Sequence, residues 1–183
     1  MPDLDDPRID RIRRMPVEVP EPWRALGKFA VGGLRGVGFD DSSELLLVES
    51  TNGKGVFDCA TGERIARDPD ADSTFDEEVR LQSRGIGPLA DKTIRVCGLF
   101  GGGLPLMTLD GWAVEMIHHT WPVVASLVLI PSGASVWEPA KARLCSKLAE
   151  TEAPLAFGFS HTGQSLVLAH SHTLEIWSRM SGD

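Results

Sequence analysis

Residues 36–63, GVGFDDSSELLLVESTNGKGVFDCATGE, lie without gaps over residues 156–183, AFGFSHTGQSLVLAHSHTLEIWSRMSGD, at an offset of 120. Gly38 and Phe39 fall on Gly158 and Phe159, the loop 40–43 on 160–163, and Leu46-Leu47-Val48 on Leu166-Val167-Leu168. Val56-Phe57 fall on Ile176-Trp177, and Thr61-Gly62-Glu63 on Ser181-Gly182-Asp183. Each copy reads as a strand ending in Phe, a tight polar turn, a continuous apolar strand, a second turn, and a strand ending in an aromatic. Such a unit cannot bury both faces alone and needs stacked neighbours. The repeat predicts that Phe39 and Phe159 are buried at equivalent places and that Trp177 matches Phe57.

The rest of the chain is read in the same terms. Short β-rich runs bounded by Gly, Ser, Asp or Pro recur at 34–40, 44–49, 55–58, 63–67, 93–99, 104–108, 112–117, 123–130, 155–160, 165–169 and 174–178. The expected class is mainly β, made of antiparallel hairpins or blade-like sheets. One amphipathic helix is expected over Trp137–Glu150, where Trp137, Ala140, Leu144 and Leu148 share a face and Pro139 sits near the start. Residues 1–24 are charged and carry Pro2, Pro7, Pro16, Pro20 and Pro22, so they read as a tail or edge element ahead of a single β-rich domain over 25–183. The stretch 68–78, DPDADSTFDEE, holds six acids in eleven residues and reads as a solvated loop.

At Phe159-Ser160-His161-Thr162-Gly163 and Ile176-Trp177-Ser178, and at Val56-Phe57-Asp58 and Ala60-Thr61-Gly62-Glu63, the sequence resembles a WD-repeat or related β-propeller blade. The resemblance covers roughly a third of the chain, and residues 76–150 show no clear copy. It implies a small or incomplete propeller, with the outer strand of the last blade supplied by the N-terminal segment around Val17–Val19. If the ring does not close, the same hairpins give a β-sandwich or stacked-sheet domain.

A formal net charge of −8, from 18 Lys and Arg against 26 Asp and Glu, argues against nucleic acid as the main partner, since phosphate binding needs a basic field. No apolar window is long enough for a membrane span, and the start MPDLDDPRIDRIRR lacks the apolar centre of a secretory signal, which points to the cytoplasm. Cys59, Cys97 and Cys145 are widely spaced without a C-x-x-C pair and read as buried, reduced thiols.

No cofactor motif emerges. Ser160-His161 is better explained by a turn than by a nucleophile and its base, because neighbours on one turn rarely face each other. His170 and His172 share a strand face, a spacing metal sites use, yet the repeat places them at a turn. Consecutive His118 and His119 point to opposite faces of a strand, with Trp121 close by in sequence. Asp68, Asp70 and Asp72 open like a calcium loop, but Ser73 and Val79 stand where glycine and glutamate are required. The cluster GLFGGGLP, with Gly98, Gly101, Gly102 and Gly103, lacks both a P-loop and a dinucleotide spacing.

Two function classes follow. The favoured one is a non-catalytic protein-binding module, in scaffold style or resembling immunity proteins in size and charge. Its binding residues are expected at Phe100, Gly101, Gly102 and Trp112, with Asp70, Asp72, Asp76 and Glu77 as an acidic patch for a basic protein partner. A strand edge left unpaired would also accept a second copy, so a homodimer fits this reading. The alternative is a small-molecule or metal-dependent enzyme with a site near 98–103 and His118, His119, Asp110 and Glu115.

Overall fold

The computed structural model describes residues 6–120 and 124–179. Helix α1 (Pro7–Arg14) precedes strands β1 (Arg24–Ala30), β2 (Leu34–Phe39), β3 (Leu45–Ser50), β4 (Gly53–Asp58) and β5 (Glu63–Asp68). After α2 (Phe75–Arg80) come β6 (Gln82–Arg84), a 3-10 turn at Gly87–Leu89, β7 (Thr93–Arg95) and β8 (Cys97–Gly98). Strands β9 (Ala113–Thr120) and β10 (Val124–Ile130), helix α3 (Pro139–Ala142) and β11 (Ser146–Glu152) lead to β12 (Ala156–Phe159), β13 (Ser165–Ala169) and β14 (Thr173–Ser178). The protein is mainly β, and its sheets are antiparallel. The chain divides into two compact units, Met1–Glu21 with Leu106–Ala153, and Pro22–Pro105 with Pro154–Asp183.

The larger unit holds the repeat. Its two main sheets run β5-β4-β3-β2-β8 and β1-β14-β13-β12. Val37 faces Val48 and Leu46 faces Phe57 in the first, while Phe157 faces Leu168 and Leu166 faces Trp177 in the second, the same pairs displaced by 120. The fourth strands match as well: Phe57 pairs with Arg64 and Trp177 with Ala25, and a bulge follows at Ile65 in one sheet and Leu26 in the other. Phe39, Phe159, Phe57 and Trp177 are all buried, as the repeat predicts. The N-terminal part of the chain does complete the second sheet, but through β1 rather than residues 17–19. Residues 181–183 of the aligned repeat lie outside the described residues.

The two sheets share one core, and they meet by unlike faces. Val37, Phe39, Leu46, Val48 and Phe57 of the first sheet cluster with Val167, Ala169, Leu174 and Ile176 of the second. Shifted by 120, the latter fall on 47, 49, 54 and 56, the opposite face of the first sheet. The two copies therefore stack front to back, with no two-fold relation between their packed faces. On its far side the first sheet packs Leu47 and Val56 against Leu89, Ile94 and Val96. There Lys54 and Glu49 stand where the second sheet has Leu174 and Ala169, 3.7 Å apart and nearly buried, with Lys54 also donating to Ser83 Oγ at 2.9 Å.

Gly38 and Gly158 owe their identity to close approach. A Cβ at Gly38 would lie 2.1 Å from the Arg95 carbonyl oxygen, and one at Gly158 2.7 Å from that of Pro105. A second stretch of chain crosses at the same point of each copy, so a side chain would collide with backbone.

The smaller unit is a three-stranded sheet, β11-β10-β9, with α1 packed on it. Four sequence expectations are corrected here and nearby. Residues 7–14 are a helix, because Asp6 caps it, Pro7 occupies its first turn, and Ile9 and Ile12 drop into a core of Ile117, Val128, Ile130, Val136 and Cys145. The helix expected over 137–150 is a single turn, Pro139–Ala142, and the chain enters β11 at Ser146. Leu144 is consequently exposed, and ladder pairing with β10 outweighs local helical preference over 146–152. Residues 104–108 form no strand, and residues 75–78 of the acidic stretch open helix α2. Cys59, Cys97 and Cys145 are free and buried, and burial pushes the Cys97 thiol up to about 11.

Candidate protein-binding surface

Helix α2 is amphipathic the wrong way round for a core element. Thr74 caps it through a capping box: its hydroxyl accepts from the Glu77 amide, while the Glu77 carboxylate takes the Thr74 amide at 2.9 Å. That carboxylate also takes the Arg84 amide at 3.1 Å, and Glu78 is held by the Arg35 guanidinium. Glu77 and Glu78 therefore face inward. Phe75 and Val79, one turn apart on the same face, point out with 81% and 65% of their surface exposed. Burial raises the Glu77 carboxyl, but hydrogen bonds from Thr74 and Arg84 outweigh it and hold the group below the usual carboxylate range.

Arg35 joins this helix to the glycine-rich loop. Its guanidinium lies 5.5 Å from the Phe100 ring centre, a cation–π contact, and 3.5 Å from Asp72. The Leu99 amide donates to the Arg35 carbonyl at 2.8 Å, so the loop is tied to β2 by backbone as well. Leu99 and Phe100 remain 59% and 53% exposed. Gly101 adopts φ +110 with open space about it, and Gly102 adopts φ +85, where a Cβ would meet Cys97 Cβ at 2.9 Å. The loop needs glycine at both places to turn over β8.

Of the residues expected from sequence, Phe100 and Asp72 are thus brought together around Arg35, while Gly101 and Gly102 shape the loop that carries Phe100. Asp76 sits on the exposed side of α2, paired with Arg80 at 3.1 Å, and Asp70 is exposed in the preceding turn. Glu77 is taken up by its own helix cap. Trp112 belongs to the other unit, where its amide donates to Thr108 Oγ1 at 2.9 Å, and Trp121 lies outside the described residues. Phe75, Val79, Leu99, Arg35 and Glu78 were not anticipated. Thr74 to Glu77 carries the Thr-x-x-Glu signature of a helix start, which would have exposed the Phe75 and Val79 spacing.

The groups named for catalysis are held locally. Ser160 Oγ accepts from the Ser165 amide at 3.1 Å, and the His161 imidazole lies 3.4 Å from Asp41, so serine and histidine do not engage each other. His119 Nε2 meets Ser126 Oγ at 3.1 Å; burial lowers its imidazole below the ordinary histidine value, against an opposing pull from Glu150. Glu115 accepts the Trp137 indole at 3.0 Å, and Thr108 Oγ1 meets Asp110 at 2.7 Å. His170 and His172 have ring centres 6.2 Å apart. Among the described residues no three His, Cys, Asp or Glu groups converge to hold a metal ion, and no helix is long and apolar enough to cross a membrane.

The chain matches no protein-family model and no curated protein. The site is therefore read from its own geometry. Phe75 and Val79 on α2 and Leu99 and Phe100 in the loop stand out of the larger unit, and Arg35 links the two segments through Glu78, Asp72 and Phe100. Such an arrangement offers desolvation energy at its centre and orientation at its rim.

Proposed function

We propose that the protein is a non-catalytic binding module, built on two blade-like sheets, that engages a protein partner through α2 and the 99–102 loop. The partner chemistry this surface fits is a segment with apolar side chains flanked by Lys or Arg. Acidic residues around Phe75, Val79, Leu99 and Phe100, and a net charge of −8, support that choice. The observation that carries the reading is the outward Phe75 and Val79 of α2. A helix that turns two glutamates, Glu77 and Glu78, inward while Phe75 and Val79 face water departs from the usual amphipathic order. A scaffold or immunity-type role in the cytoplasm is consistent with this chemistry.

The test is affinity capture from native cytosol with wild type and with the double variant Phe75→Asp, Phe100→Asp, each shown to be folded by circular dichroism. A stoichiometric partner held by wild type and lost by the variant supports the surface. Equal retention by both would place the interaction elsewhere and overturn it.

A further inference from the structure

A pocket of about 80 Å³ opens over Gly55, and its walls include Gly32, Asn52, Arg64 and Arg67. Gly55 pairs with Arg67 across β4 and β5, and Phe57 pairs with Arg64. Residues two apart on β4 share a face. The bulge at Ile65 puts Arg64 and Arg67 opposite that same face, so two guanidiniums overlook one bare glycine.

The second copy shows what is absent. Position 55 corresponds to Glu175, and Lys28 pairs with Glu175 as Arg67 pairs with Gly55. There Lys28 Nζ and Glu175 Oε1 form an ion pair at 2.9 Å. In the first copy the cation is kept, a second is added, and the carboxylate is gone. Among the described residues neither Arg64 nor Arg67 has a carboxylate partner, and Arg67 makes only a 3.4 Å bond to the Asn52 carbonyl. Crowding does not demand the glycine: a Cβ there would sit 3.6 Å from the Ala66 oxygen and 3.7 Å from Arg64 Cδ, ordinary contact distances. We propose that this pocket is a binding site for a carboxylate supplied from outside the fold, seated over Gly55 between Arg64 and Arg67. A planar carboxylate matches the guanidinium fork, and the pocket suits a group of its size. The site is separate from the α2 surface and goes beyond the function proposed above.

The test is titration of isotope-labelled full-length protein with sodium acetate and, separately, with a blocked glutamate-containing peptide at constant ionic strength. Amide signals of Gly53 and Gly55 and the side-chain Nε–H signals of Arg64 and Arg67 are followed. Saturable shifts confined to these groups are expected, with millimolar dissociation constants for acetate. Peptide binding about tenfold tighter than acetate would assign the source to an acidic side chain of another protein, and equal binding to a free small acid. Gly55→Glu places the carboxylate of the second copy in the pocket and should abolish the response while raising the melting temperature above that of Gly55→Ala. If Gly55→Glu does not fold, Arg67→Gln decides, with loss of binding expected. No saturable response in wild type, a response to inorganic phosphate alone, or undiminished acetate binding in Gly55→Glu or Arg67→Gln overturns the proposal.

Discussion

Asp40 and Ser160 occupy the same turn of the two copies, and each backbone amide donates across it to the residue opening the next strand, Leu45 or Ser165, at 2.9 Å. The side chains then diverge. Burial raises the Asp40 carboxyl, but hydrogen bonds from Lys92 at 2.5 Å, Ser43 at 2.6 Å and Ser42 outweigh it and bring the group from 3.8 to about 2. A carboxyl depressed on folding contributes stability that is fully present above its unfolded value and is lost as pH falls through the folded one. Urea titrations should therefore show wild type weakening between about pH 4 and pH 2, with a flatter profile for Asp40→Asn. Trp177→Ala should cost about 3 to 5 kcal/mol by chemical denaturation, since the indole is 3% exposed. A loss below about 1 kcal/mol would place it at the surface. At this scale the sequence was informative wherever a residue recurs 120 positions on. It was silent on Arg35, whose role depends on Glu78, Asp72 and Phe100 meeting only in the fold.

Elements with local signals were legible, and elements made by distant pairing were not. The apolar runs of β3 and β13 stand out because both faces are covered, whereas β1, RALGKFA, is half exposed and announces itself only through its partner β14. Residues 146–150 read as helix because Leu144 and Leu148 continue a helical stripe, and β10 overrides that stripe by offering a ladder. The N-terminal helix was hidden by its prolines, although Pro7 at a first helical turn is favourable. Ile12→Ala should accordingly cost about 2 to 5 kcal/mol in thermal or denaturant unfolding, where a tail residue would cost almost nothing. Thr74→Ala should remove the capping box, at a cost of about 1 kcal/mol, and weaken partner capture by letting α2 fray.

For the whole molecule, the repeat made two stacked sheets foreseeable, while the division into two units was not, because Met1–Glu21 joins Leu106–Ala153 across most of the chain. The acidic net charge acts at this scale too. Association of the proposed partner should slow as salt is raised from low to physiological ionic strength, read by stopped-flow fluorescence, while dissociation changes little. A salt-independent association rate would argue that the acidic rim plays no part in recognition.

Strand β1 pairs Arg24 with Ser178, so the second sheet joins segments far apart in the sequence. During synthesis at roughly 5 to 20 residues per second, β1 must leave the ribosome many seconds before β14 exists. Through that interval the nascent chain carries an edge strand without its neighbour, and the sheet can be sealed only after β14 has been made. Chaperone dependence and yield should therefore track the speed of elongation between β1 and β14.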